Sequence, residues 1–361
     1  MDKGIITYLL GAGASANSLP IVKNYSKRFR NFINFLDSIK TREIDQKKKN
    51  EIGEICKDFN WLIKNISSIS VDSFAYELYK KDKIDELNKL KKLLVFFFNI
   101  EQLCNPVDRR YLPFIEKIWP GDRSNLPSNR IRILNWNYDF QLEMALAALA
   151  KYSNNFDQTN LQRQCLPSPL YMHEDSVQAD YYKSFKTDQF SICHLNGMCY
   201  CYKFDLKKAH ITQPSPVALP FPSLFDPFEK NQLPFEEIFK NQLSNYFDLL
   251  NRKGNFTAIE FAWEKPESNR SPDNIREKVI DKAIEATIDT EILMVIGYSF
   301  PKENLEFDKK IIISMKSLKQ IYLKDLCPEQ IKSNFSMIYP EFSKDHLFPI
   351  KNVEDFFVPT L

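Results

Sequence analysis

Gly4-Ile5-Ile6-Thr7-Tyr8-Leu9-Leu10-Gly11-Ala12-Gly13-Ala14-Ser15-Ala16 is the stretch on which the fold turns. Residues 4–10 form a continuous apolar, β-branched run, which is how a strand buried on both faces of a parallel sheet reads. Gly11-Ala12-Gly13 breaks the run, and the small residues from Ala14 to Asn17 suit the opening of a helix packed closely on the sheet before Pro20 interrupts. The chain has only 8 glycines in 361 residues, so two of them in one turn carry positional information. Their spacing fits G-x-G-x-x-[GA], a turn whose glycines let backbone N–H groups approach a pyrophosphate while a helix N-terminus favours its negative charge. A tight turn packed with small residues produces the same letters. Hydride-transfer enzymes also place an acidic residue about 20 positions further on. Here Lys27 to Leu36 is basic and helical in pattern, with Asp37 just beyond, which disfavours an ordinary dehydrogenase.

The strand–loop–helix pattern recurs along the chain. Ile131 to Leu134 reads as a buried strand that runs into Asn135-Trp136-Asn137-Tyr138-Asp139, then a helix through Glu143, Met144 and Leu146. Phe190 to Asn196 and Met198 to Phe204 read as short strands joined at Gly197, and helices are predicted over 235–250 and 274–287. A strand over 291–296, the turn Gly297-Tyr298-Ser299, a helix over 304–315 and a strand over 320–323 ending in Lys324-Asp325 complete the series. This alternation predicts an α/β fold, a doubly wound Rossmann-like parallel sheet over 1–361, with ligands bound beyond the carboxyl ends of the strands. Two segments interrupt it. One is a large helical insertion at about 23–125, with Leu87, Leu90, Leu94 and Phe97 at helical spacing; the other is a Pro-rich loop at about 212–228, which cannot be helix or sheet interior. Within the insertion, Phe96-Phe97-Phe98 cannot all share one helix face, so at least one must meet another element or another subunit. On that basis the protein is expected to be a homo-oligomer.

Composition narrows the function classes. Hydrophobic residues make up 43% and charged residues 27%, a balance that folds, and 49 Lys+Arg against 47 Asp+Glu leaves a net charge of only +2. No overall positive field draws in a nucleic acid backbone. The apolar start is too short for a signal peptide, and no stretch approaches the roughly 20 apolar residues of a membrane span. A cytoplasmic protein without direct nucleic acid or membrane partners is expected. Seven cysteines suit reduced, mostly buried thiols better than a secreted disulfide framework. Cys193, His194, Cys199 and Cys201 lie close in sequence but lack Cys-x-x-Cys spacing, so no metal is expected there.

The polar loops at the predicted strand ends, taken in order, resemble the sirtuin-like superfamily of NAD-consuming enzymes. Gly11-Ala12-Gly13-Ala14-Ser15 is similar to that family's opening Gly-Ala-Gly-x-Ser turn, and Asn135-Trp-Asn137-Tyr-Asp139 to its Thr-x-Asn-x-Asp loop. Cys193-His194-Leu-Asn-Gly197 resembles its His-Leu-x-Gly loop, and Ile296-Gly297-Tyr298-Ser299 its late Gly-x-Ser turn. Leu19 stands where the family usually has glycine before the proline, and Asn135 replaces the leading Thr. The paired Cys-x-x-Cys zinc module of the protein deacylases is absent from the sequence. The resemblance therefore implies the divergent bacterial branch of anti-phage-defence NAD hydrolases, often encoded beside an ATPase or nucleic-acid sensor. It also implies roles: Asn137, Asp139 and His194 catalytic; Gly11, Ala12, Gly13 and Ser15 at the pyrophosphate; Gly297 and Ser299 near the adenosine half. Asp325 is a candidate for the adenosine ribose, and an ordinary turn aspartate otherwise.

The chemistry stands beside the resemblance. Breaking the nicotinamide–ribose bond of NAD expels a neutral pyridine and leaves an oxocarbenium-like ribose for water to trap, and a neutral imidazole can accept the proton released. The expected activity is NAD glycohydrolase, with NAD as substrate. A protein deacylase or ADP-ribosyltransferase, and a module that binds NAD or ADP-ribose without turnover, are the alternatives. His194 reads otherwise as a packed core residue, Asp139 as a helix cap, and His173, His210 and His346 as structural or surface residues.

Overall fold

The computed structural model describes residues 4–21, 24–121, 125–150, 161, 164–166, 184–205, 210–213, 237, 239–240, 242–244, 246–247, 255–264 and 275–359. Residues 214–228 of the Pro-rich loop and His173 lie outside them. The central element is a seven-stranded sheet in the order β10-β9-β8-β1-β2-β4-β3. Its strands are β1 (Ile5–Leu10), β2 (Ile131–Asn135), β3 (Cys165–Leu166), β4 (Ser191–His194), β8 (Thr290–Ile296), β9 (Gln320–Lys324) and β10 (Leu347–Ile350). Every pairing in it is parallel. The chain therefore winds outward from β1 in one direction through β2 and β4, then returns to the other side of β1 and winds outward through β8, β9 and β10. The reversal of winding falls between β1 and β8, where open α/β sheets bind their ligands.

Alternation along each strand sorts side chains onto two faces. Ile6, Tyr8 and Leu10 share one core with Ile131, Ile133, Ile192, Ile292 and Met294, covered by helices α5 (Tyr111–Ile118) and α6 (Gln141–Ala150). Leu9, Leu134, Cys193, Leu293, Val295, Ile321 and Leu323 face the other way, under α7 (Ile275–Thr287), α8 (Leu305–Ser314) and α9 (Pro328–Ile338). This is the doubly wound α/β architecture expected. Continuous apolar runs mark these strands because both faces are covered. Pro349 sits in β10, which is an edge strand, where a missing N–H is tolerated.

Between β1 and β2 the chain builds a helical layer: α1 (Tyr25–Arg42), α2 (Gln46–Asn65), α3 (Val71–Lys80) and α4 (Ile84–Cys104). The α5 helix, counted with the insertion from sequence, belongs instead to the sheet. All three consecutive phenylalanines of α4 are buried within the chain. Phe97 meets Phe29, Phe32 and Phe59 of α1 and α2; Phe96 meets Phe239 and Tyr246; Phe98 meets Tyr25 and Tyr138. Other elements of the same chain surround the helix, so the phenylalanine run no longer argues for a second subunit. A smaller antiparallel sheet, β5 (Gly197–Asp205) between β6 (His210–Gln213) and β7 (Asn255–Ile259), lies against α4. Thr212 and Gln213, expected in the Pro-rich loop, close β6. No described helix is long and apolar enough to cross a membrane.

Candidate active site

The register places Leu10 level with Asn135 and Ile296, Asn135 level with His194, and Ile296 level with Lys324. One row of strand ends therefore delivers the loops beginning at Gly11, Trp136, Leu195, Gly297 and Asp325 to the same edge of the sheet. Backbone bonds lock neighbouring loops together. Trp136 donates to the Leu10 carbonyl at 3.0 Å and Leu195 to the Asn135 carbonyl at 2.8 Å; Gly297 donates to the Lys324 carbonyl at 3.0 Å.

The glycine turn differs from the expected strand-to-helix turn. Ala12–Ser15 forms a single 3-10 turn, and the next α-helix begins only at Tyr25. No α-helix N-terminus therefore follows Gly13, because Ser18-Leu19-Pro20 carries the chain away. The amides of Gly11 and Gly13 donate to the carbonyls of Ile296 and Gly297, both at 3.0 Å. A Cβ on Gly13 would lie 2.6 Å from Gly297 Cα, and one on Gly297, whose φ is +60°, would lie 2.3 Å from Gly13 Cα. The glycines bring two turns into backbone contact at the winding reversal. Ala12 and Gly13 are half-buried; Ser15 is buried.

Ser15 connects the turn to the Asn135–Asp139 loop. Its hydroxyl donates to Asp139 Oδ1 at 3.2 Å and lies 3.2 Å from the Tyr111 hydroxyl. Asp139 Oδ1 also accepts the Gln141 amide at 3.0 Å, at the start of α6. Burial pushes the Asp139 carboxyl up to about 6, and the nearby Glu143 charge works in the same direction, against the Gln141 amide, the Ser15 hydroxyl and His194. Asn137 donates its side-chain amide to the Gly11 carbonyl at 2.9 Å, and its own backbone amide is held by Asn135 Oδ1 at 3.0 Å. Asn137 and Asp139 thus both hold the glycine turn, from the same loop.

His194 is sealed: its side chain is 0% exposed, and Nε2 lies 2.7 Å from Glu143 Oε1. The second ring nitrogen Nδ1, Glu143 Oε2 and Gln141 Nε2 are buried without a hydrogen-bond partner. Glu143 was legible only as a helix residue, yet it is the one charged side chain in the run Gln141–Ala150. A lone carboxylate on an otherwise uncharged helix is the signal that would have found it.

Two further groups escaped the sequence reading. Arg110 reaches the carbonyls of Gly13 and Ala14, each at 3.0 Å, while its guanidinium pairs with Asp108 at 2.6 Å, both side chains being buried. That guanidinium and the neighbouring amides hold the Asp108 carboxyl below its ordinary range despite burial. On the far side of the turn, Asp308 accepts from Trp136 Nε1 at 3.1 Å and from the Tyr298 hydroxyl at 2.8 Å, with Trp136 and Tyr298 stacked. Burial pushes the Asp308 carboxyl up to about 8. No sequence motif announces either cluster.

The remaining candidates sit at the margin. Ser299 is exposed and presents its carbonyl to Asn334. Asp325 follows β9 and accepts the Cys327 amide at 2.9 Å, at the turn into α9. Beside it the Lys324 side chain is buried and paired with Asp355 at 2.6 Å. The helical layer reaches the same loops: Gln102 of α4 accepts the Phe140 amide at 2.6 Å, and Asp72 of α3 accepts the Tyr138 hydroxyl at 2.5 Å. Among the described residues no group of three His, Cys, Asp or Glu is placed to hold a metal ion. No family model matches the chain, and no curated protein matches it.

Proposed function

We propose that this protein is a sirtuin-like NAD glycohydrolase that releases nicotinamide and ADP-ribose. The observation that carries the reading is the row of strand ends Lys324, Ile296, Leu10, Asn135 and His194, which brings the family-like loops to one edge at the reversal of winding. The half-buried Ala12 and Gly13 are the part of the turn that the dinucleotide phosphates approach, and the Gly11 and Gly13 amides, already donated within the protein, are not their donors. Asn137 orients the ribose and the attacking water, and His194 takes the proton that water releases. Because the His194 side chain is fully enclosed, NAD reaches it only when the covering residues part. Activation by assembly or by a partner such as an ATPase or sensor belongs to the same proposal, as does a role in anti-phage defence.

Incubation of the purified chain with NAD alone tests the activity, with nicotinamide and ADP-ribose quantified by chromatography. Equimolar products without any peptide are expected. Strict dependence on an acylated peptide would replace the reading with deacylation or transfer. The enclosure of His194 favours one further reading, a module that binds NAD or ADP-ribose without turnover; saturable binding by calorimetry with no product formed would establish it instead.

A further inference from the structure

We propose that Glu143 is the positioning residue of this site, holding His194 as the Nε2–H tautomer so that the Nδ1 lone pair is the one presented to substrate. The inference rests on the NAD glycohydrolase reading for its substrate, and on the contact between His194 and Glu143 for the state of the ring. An ionised carboxylate only accepts hydrogen bonds, so at 2.7 Å from Glu143 Oε1 the Nε2 atom of a neutral imidazole carries the hydrogen. Nδ1 is then the acceptor, and it has no protein partner. A histidine kept only for packing has its second nitrogen satisfied as a rule, because a buried polar atom without a partner is costly. Here Nδ1, Glu143 Oε2 and Gln141 Nε2 are all left over on or against the first turn of α6. The bare Nδ1 is the acceptor left for a substrate hydroxyl or the attacking water.

The proton balance follows. Water attacks the ribose C1′ as the bond from C1′ to the pyridinium nitrogen breaks, and that electron pair returns to the ring to give neutral nicotinamide. The proton leaving water passes to Nδ1. The imidazolium so formed donates through Nε2 to Glu143, whose negative charge stabilises it, and the proton is then lost to solvent. Glu143 touches no substrate; it acts through His194.

The test is the ring spectrum of the full chain labelled with 15N-histidine. There are 4 histidines, and His194→Gln identifies the resonance. At pH 7.5 His194 is expected to show a protonated Nε2 and a bare Nδ1. Glu143→Gln offers a donor as well as an acceptor, so the single tautomer should no longer be enforced, and turnover should fall about 10²-fold for want of the charge. Glu143→Met removes the acceptor, and both the single-tautomer signature and about 10²–10⁴-fold of the turnover should go. A wild-type ring protonated at Nδ1, or an unchanged ring signature in Glu143→Met, overturns the proposal. The spectrum needs no NAD, so a chain without NAD turnover would remove the functional reading while the ring still decided the role of Glu143.

Discussion

Gly13 donates its amide to the Gly297 carbonyl at 3.0 Å, and each of the two glycines occupies the space that a Cβ on the other would need. That contact closes the sheet's winding reversal, and its cost of disruption is measurable. Gly297→Ala combines a left-handed backbone with a backbone clash and should destabilise by about 2–5 kcal/mol, seen as a lower urea midpoint with unchanged slope. Gly53→Ala, in mid-helix against only the flexible end of Lys40, should stabilise by about 0.5–1 kcal/mol. Equal midpoints for the two variants would contradict this account.

The buried pair of Asp108 and Arg110 holds the same turn from beneath. Arg110→Met leaves the Asp108 carboxylate enclosed and uncompensated, a loss of about 3–5 kcal/mol in chemical denaturation. Adding Asp108→Asn should recover part of that loss, because no charge is then stranded. A double variant no more stable than the single one would show that the carbonyl contacts of Arg110, rather than the ion pair, dominate.

Asp308 makes stability depend on pH. Its folded carboxyl is raised to about 8 from an ordinary 3.8, so the folded state binds the proton more tightly than the unfolded state. Its contribution is present at low pH and is lost as pH rises through about 8. Asp139, raised to about 6, adds the same trend lower in the range. Melting temperature should therefore fall between pH 6 and pH 8.5, and Asp308→Asn, neutral and still an acceptor for Trp136, should flatten that fall. A wild-type melting temperature that rises over this interval would contradict the assignment.

His194→Gln keeps an N–H for Glu143 while removing the basic ring nitrogen. NAD turnover should fall at least about 100-fold with the melting temperature near wild type. Asn137→Ala frees the Gly11 carbonyl, so about 1–3 kcal/mol of stability should go with the activity. Wild-type rates in both would remove these residues from the chemistry.

The sheet was legible because its strands are apolar on both faces and each ends in a polar loop; Ile5–Leu10, Ile131–Asn135 and Thr290–Ile296 all carry that mark. Two elements were not. β3 is two residues long, and β10 contains Pro349, which argues against a strand unless the strand is known to be an edge. The helix expected after Gly13 did not form, since Pro20 and the docking of the turn on Gly297 outweigh the small residues that suggested it.

Local sequence by itself determined the continuous apolar runs of the strands, the three- and four-residue spacing of the helices, the breaks at glycine, and the polar residues that follow each strand, because these depend on neighbours a few positions apart. Only the tertiary structure decided that Glu143 meets His194, that Arg110 clamps Gly13, and that Phe96, Phe97 and Phe98 are all enclosed by their own chain. Those pairings join residues brought together by strand order and register, and no short-range pattern encodes which distant side chain will fill a buried hydrogen-bonding vacancy.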